Sequence, residues 1–251
     1  MKTALITGGS GGIGLAVARE FAKDGWSLVL VARDETKLAA AAKELGGTYL
    51  VFDLAQPGAA QSLFDEVNKR GLTIDALVNN AGYGMYGKFA DSNLVEQEGM
   101  VALNIAALMT LTRLFLPEMV ERKSGYILNV SSTAGFLPGP LMAVYYATKA
   151  FVNSFTVAVA NELVGTGVSI TALCPGATDT NFATRADMGN SKLFKLGTDS
   201  PEKVAAVGYK AMKAGKPIVI VGRSNALGAW FARTLPLPNS ARIARRLQER
   251  E

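Results

Sequence analysis

The chain of 251 residues contains no histidine and a single cysteine, Cys174. Without histidine, a Ser-His-Asp triad, an H-E-x-x-H zinc site and a facial iron triad are all excluded. One cysteine excludes an internal disulfide and a cysteine-rich zinc site, so no metal site is expected, and it fits a reducing cytoplasm. Cys174 itself reads as a buried thiol at a strand end. The longest apolar stretches are broken by charge, proline or glycine short of a membrane span, so no transmembrane helix is expected. Nor is a signal peptide, because Met1-Lys2 leads straight into a strand. Charge of neither sign dominates. The 26 basic and 21 acidic residues leave +5, and the basic ones are dispersed except near the C-terminus, so nucleic acid is not an expected partner.

What is present points to one α/β domain. An apolar content of 49% suits a sheet buried on both faces, and 251 residues suffice for one large core without requiring two. Strands are predicted near 2–7, 27–32, 48–52, 76–79, 126–130, 169–174 and 217–221. Helical patterns fall at about 35–45, 59–69, 95–121, 144–163 and 202–213, after a first amphipathic helix that ends near Lys23. Such alternation implies a doubly wound parallel sheet with right-handed crossovers, helices on both faces and a crevice outside the carboxyl ends of the strands. No internal repeat or inter-domain linker is visible, and residues 1–251 read as a single dinucleotide-binding domain.

Two features carry chemistry. Lys2–Thr7 runs into Gly8-Gly9-Ser10-Gly11-Gly12-Ile13-Gly14 and then into a helix, which is the context a dinucleotide fingerprint requires. Glycines let the backbone turn tightly and approach a pyrophosphate seated on free N–H groups at the helix start. Two spacings fit: Gly9, Gly11 and Gly14 as G-x-G-x-x-G, and Thr7-Gly8-x-x-x-Gly12-x-Gly14. No Lys-Ser/Thr pair follows, which excludes a P-loop. The second feature is Tyr145 and Lys149, four residues apart on one helical face, with Ser132 upstream. An ammonium beside a phenol is expected to pull the tyrosine pKa down from about 10, making an acid/base catalyst without histidine.

These motifs, taken in order with Asp53-Leu54, Asn79-Asn80-Ala81-Gly82, Asn104 and Pro175-Gly176-x-x-x-Thr180, resemble the short-chain dehydrogenases/reductases of about 250 residues. The resemblance covers Lys2 to about Val221. It implies an oxidoreductase in which Tyr145 is the acid/base, Lys149 assists it and holds the ribose, and Ser132 polarises a carbonyl. Asn104 would bend its helix and hold a water linking Lys149 to solvent. Asp53 and Leu54 would border the adenine, Asn80, Ala81 and Gly82 the ribose, and Thr178 and Thr180 the nicotinamide carboxamide. Alanine occupies position 32, where NAD-using relatives carry an acid, and Arg33 offers a bidentate donor for a 2′-phosphate, so NADP(H) is expected over NAD(H). Asp34 weakens that case slightly. Ser131 and Tyr146 are the neighbouring alternatives to Ser132 and Tyr145, disfavoured by spacing.

Substrate identity is less legible. Residues 181–200, with Phe182, Met188, Leu193 and Phe194, read as a lid. Tyr83, Met85, Tyr86, Phe136, Leu137, Leu141 and Met142 are candidate pocket walls, suggesting an apolar or aromatic small-molecule carbonyl substrate. Residues 222–251 form an apolar-then-basic extension, expected to dock on its own protein, with capping of the substrate pocket, a partner subunit or an anionic membrane surface as alternatives. The resemblance also implies a homodimer or homotetramer. Two rival functions stand beside carbonyl reduction. One is reduction of a carrier-bound 3-oxoacyl thioester, for which Arg185 and Lys192 offer thin support; the other is a non-catalytic NADPH-responsive regulator.

Overall fold

The structure is a computed structural model that describes residues 1–186 and 197–249. Seven parallel strands form one sheet in the order β3-β2-β1-β4-β5-β6-β7. They are β1 (Thr3–Thr7), β2 (Ser27–Ala32), β3 (Thr48–Val51), β4 (Ala76–Asn79), β5 (Gly125–Val130), β6 (Val168–Cys174) and β7 (Ile218–Ile220). Alternation along each strand buries opposite faces in different layers. Ala4, Ile6, Leu28 and Leu30 pack on one side with Phe21, Val204 and Met212. Leu5, Val29, Val31 and Leu77 pack on the other with Leu63, Leu111 and Phe115. The side chains on the first side come from α1 (Gly12–Lys23) and α8 (Pro201–Lys213). Those on the second come from α3 (Ala59–Lys69) and α5 (Leu108–Glu121), while α2 (Glu35–Leu45) follows β2.

The chain leaves β1 towards β2 and β3, then returns to place β4 on the other side of β1. Ligand crevices open at such a reversal, outside the strand carboxyl ends. Asn79 and Asn129 are cross-strand partners there, and the Asn79 amide donates to Asn129 Oδ1 at 2.9 Å and to Thr112 Oγ1 at 3.1 Å. This buried polar row ties β4 and β5 to α5, behind the crevice.

The expected helix over 95–121 differs in two ways. It starts at Leu94, capped by Asn93 Oδ1, and is interrupted by a π-helical stretch at Ala102–Ala107 between α4 (Leu94–Val101) and α5. Its 94–121 span is also apolar enough to match a membrane-crossing helix in length and composition, against the expectation that no stretch reaches that length. Gly99, Arg113 and Pro117 do not break it. In the fold its inward stripe of Leu108, Leu111, Phe115 and Met119 is buried. The extension after β7 is helical: α9 (Arg223–Thr234) and α10 (Leu237–Gln248), separated at Leu235-Pro236.

Candidate active site

The glycine segment turns from β1 into α1, and its geometry separates the two possible spacings. Gly8 and Gly12 have positive φ, 65° and 53°, in the region that glycine alone enters without strain. A Cβ on Gly14 would lie 2.3 Å from the Gly8 carbonyl oxygen and 2.4 Å from Asn80 Nδ2. Gly11, by contrast, is extended and faces open space. The conformational demand therefore falls on Gly8, Gly12 and Gly14. Asn80 holds the turn from the side, donating to the Thr7 and Gly8 carbonyls at 3.0 and 3.2 Å. Thr7 Oγ1 accepts from Asn80 N and Ala81 N, both at 3.0 Å, and donates to the Val78 carbonyl. Thr7 is thus a hub of the site that motif spacing alone left without a role.

A cleft of about 450 Å³ runs from this turn across the strand ends. Gly8, Ser10, Gly12, Ile13, Arg33, Asp53, Leu54, Asn80, Ala81 and Gly82 line one half. Ser132, Tyr145, Lys149, Pro175, Gly176, Thr178 and Thr180 line the other. The sequence thus names most of the wall, while Gly14 and Asn104 stand behind it as supports. The exposed α1 N-terminus and its glycine turn at one end fit the pyrophosphate of a nicotinamide dinucleotide. At the far side Arg33 is exposed, and Lys37, which sequence reading did not single out, joins it on the rim. Asp34 is already engaged. It caps α2 through Lys37 N at 3.1 Å, lies 3.2 Å from Lys37 Nζ, and these bonds hold its carboxyl below the usual range.

Tyr145 and Lys149 lie one turn apart on α6 (Ala143–Glu162), both buried. Lys149 Nζ donates to the Val130 carbonyl at 2.8 Å and sits 5.8 Å from the Tyr145 ring centroid. The expected direction of the tyrosine shift is corrected here. Burial pushes the Tyr145 phenol upwards, the hydrogen bond with Ser132 opposes this, and Tyr146 adds to the rise. The same burial lowers Lys149 to about 8. Desolvation dominates both groups, because it penalises the phenolate and the ammonium alike. Ser132 Oγ accepts from Ala134 N at 3.1 Å and donates to the Pro175 carbonyl at 3.4 Å. Ser131 instead donates to the Lys149 carbonyl at 3.1 Å, which fixes the helix rather than serving the cleft.

Asn104 lies inside the π-helical stretch and is 1% exposed. Its Oδ1 accepts from Tyr83 N at 3.1 Å, and its Nδ2 donates to the Tyr83 carbonyl at 2.9 Å and to Thr148 Oγ1 at 3.1 Å. It therefore clamps the loop after β4 to α6 beside Lys149. A Cβ on Gly82 would come within 2.9 Å of Asn104 Oδ1, so glycine is required at that approach. Thr180 caps the short helix α7 (Asn181–Arg185) by accepting from Phe182 N at 3.2 Å, and its methyl reaches the glycine turn. Thr178 Oγ1 donates to the Gly176 carbonyl at 3.1 Å.

Of the expected pocket walls, Met142 lines the cleft, together with Phe182, whose ring centroid lies 5.2 Å from that of Tyr145. Gly84 makes room for both, since a Cβ there would meet Phe182, Met142 and Tyr145. Tyr83, Met85, Tyr86 and Leu137 pack behind them. Phe136 and Leu137 also line a second, mostly apolar groove of about 560 Å³, which shares Tyr146 with the cleft and includes Leu237 of α10. Met188, Lys192, Leu193 and Phe194 of the expected lid lie outside the described residues.

A family profile for short chain dehydrogenase matches residues 2–190. Ketoacyl reductase HetN of Nostoc sp. is 38% identical over 229 residues, covering 89% of this chain and 79% of that protein. A short-chain dehydrogenase from Sphingobium yanoikuyae, solved in complex with NADPH, superposes with a TM-score of 0.81 at 30% identity, covering 92% of this chain and 94% of the other. A 3-ketoacyl-(acyl-carrier-protein) reductase from Brucella melitensis, solved with NADH, gives 0.79 at 30% identity over 89% and 98% of the two chains. With the glycine turn, the strand-end cleft and the Ser132-Tyr145-Lys149 cluster in one single-domain sheet, the chain belongs to the short-chain dehydrogenase/reductase family, oxidoreductases that act on CH–OH groups with a nicotinamide cofactor.

Proposed function

We propose that this enzyme reversibly reduces a ketone or aldehyde to an alcohol, preferring NADPH over NADH, with Tyr145 as acid and base. The observation that carries this reading is the Tyr145 phenol: buried, lining the cleft with Ser132, and one helical turn from Lys149. NADP(H), when bound, supplies or accepts the hydride. Gly8, Ser10, Gly12, Ile13 and Gly14 would hold its pyrophosphate, and Arg33 with Lys37 its 2′-phosphate. Asp53 and Leu54 would border the adenine, Asn80, Ala81, Gly82 and Lys149 the ribose, and Pro175, Gly176, Thr178 and Thr180 the nicotinamide.

Ser132 turns its hydroxyl from the long Pro175 contact to the substrate carbonyl oxygen and stabilises the charge that develops there. Tyr145 passes its proton to that oxygen, and its raised pKa keeps the proton available at neutral pH. Lys149 stabilises the phenolate left behind. Asn104 positions the Lys149 side of the site through Thr148 and Tyr83, and a water held there would return the proton from solvent. A homodimer or homotetramer and a cytoplasmic setting accompany this reading.

A 3-oxoacyl thioester is the second reading, favoured by the apolar groove that continues from Tyr146 along residues 135–140. A panel of simple ketones, aldehydes, diketones and 3-oxoacyl thioesters, followed by NADPH absorbance, tests both. Turnover of simple carbonyls supports the first reading, and turnover confined to thioesters supports the second. Unchanged absorbance across the panel, with NADPH bound, would favour a cofactor-responsive regulator.

A further inference from the structure

The C-terminal segment that carries α9 and α10 is unlike the rest of the surface. Leu227, Trp230 and Phe231 share one face of α9 and are 67%, 64% and 52% exposed; Leu237, opening α10, is 70% exposed. Single exposed apolar side chains are ordinary, but two large aromatics and two leucines together form an unpartnered patch. Between Gly222 and Gln248 stand five arginines, Arg223, Arg233, Arg242, Arg245 and Arg246, and no acid. Those five account for the whole net charge of +5. All five are exposed, and among the described residues only Arg245 has a carboxylate partner, Glu249 at 3.1 Å.

Each helix is anchored on the body along one side, which leaves its other side free. Ser240, Ala244 and Gln248 form a buried stripe at four-residue spacing on α10, so Arg242 and Arg246 point away from the body. Asn225 of α9 packs against Gly176, and Arg233 lies 5.9 Å from the Phe136 ring centroid. Two helices each fixed on one side, with exposed aromatics and a leucine on α9 and exposed arginines on α10, have the chemistry of an interfacial membrane contact. Trp and Phe enter the headgroup boundary while arginines meet anionic lipid.

We infer that α9 and α10 dock the enzyme on a phospholipid surface carrying anionic headgroups. Charge complementarity selects this occupant: a second copy of the chain would set the outward arginines of one molecule against those of the other. The docked face also lies beside the apolar groove through Leu237, so an amphiphilic substrate would reach the site from the surface that holds it. The docking itself does not rest on the proposed reaction.

The test uses the full chain with vesicles of phosphatidylcholine alone or with about one-third phosphatidylglycerol, read by co-sedimentation and tryptophan emission. Trp26 is 8% exposed, so a blue shift reports Trp230. Partition should require the anionic lipid and fall with added salt. Replacing Arg242, Arg245 and Arg246 together by Gln should weaken it on the order of 100-fold. Trp230→Ser with Phe231→Ser should weaken binding and abolish the blue shift while leaving NADPH turnover intact. Absence of binding, or equal binding to neutral and anionic vesicles, would overturn the inference. So would an oligomer in solution that the Trp230→Ser/Phe231→Ser variant dissociates, since a second copy would then cover this face.

Discussion

Lys149 donates its ammonium to the Val130 carbonyl and lies to one side of the Tyr145 ring, so its effect on catalysis is set by its own titration. Burial lowers it to about 8, whereas the phenol is pushed upwards. Below pH 8 the lysine is charged and can stabilise a phenolate; above it the charge is lost while Tyr145 keeps its proton. We therefore expect kcat/KM for reduction, which reports groups of the free enzyme, to fall as pH rises through about 8. The limb should vanish in Lys149→Met, measured on its residual rate, and its persistence there would assign it to another group. Oxidation, which needs the phenolate beside a charged lysine, should rise with pH up to about 8 and level off above it. The position of Arg33 leads to a separate prediction at the cofactor's far end. With Asp34 occupied by Lys37, Arg33→Ala should remove most of the NADPH preference, about 1.5–3 kcal/mol in relative binding free energy. Equal NADPH and NADH affinities in the unaltered enzyme would contradict that role. The residue types were legible in the sequence; the direction of the Tyr145 shift was not, because desolvation depends on how deeply the fold buries both partners.

The turn between β1 and α1 shows what an element adds to a motif. Two glycine spacings fit the sequence equally, and only backbone angles and close approaches distinguish them. Gly14→Ala should collide with the Gly8 carbonyl and weaken NADPH binding at least ten-fold, or prevent folding. Gly11→Ala, extended and facing open space, should bind NADPH within about two-fold of the parent. Titration of cofactor fluorescence with both variants checks this, and loss of binding in Gly11→Ala would restore the Gly9-Gly11-Gly14 reading. The helix over 94–121 carried a similar ambiguity. Its apolar periodicity was readable and its π-helical interruption at Asn104 was not, since that depends on the amide bonding Tyr83 and Thr148 across two other segments. The C-terminal extension likewise looked like an apolar-then-basic tail. Its helices became visible only where the small residues Ser240 and Ala244 were seen packed against the body.

Across the whole molecule, the alternation of strands and helices was enough to anticipate a parallel sheet, because both faces of nearly every strand are apolar. The strand order, with its reversal between β1 and β4, places the glycine turn, Asn80, Ser132 and Pro175 at one edge although 167 positions separate Gly8 from Pro175. That convergence brings scattered motifs into one cluster, and the proposed chemistry depends on it. Lys37 on the cleft rim and Gly84 behind it escape sequence reading because nothing local marks them; they gain a role when loops from different strands meet. The most direct measurement is NADPH oxidation by the unaltered enzyme and by Tyr145→Phe on one accepted carbonyl substrate, with NADPH affinity measured in parallel. We predict that Tyr145→Phe loses turnover by at least a factor of about 100 while its NADPH affinity changes little, since one proton donor is removed from an intact site. Undiminished turnover in Tyr145→Phe, or its loss in Tyr146→Phe instead, would contradict Tyr145 as the acid and base.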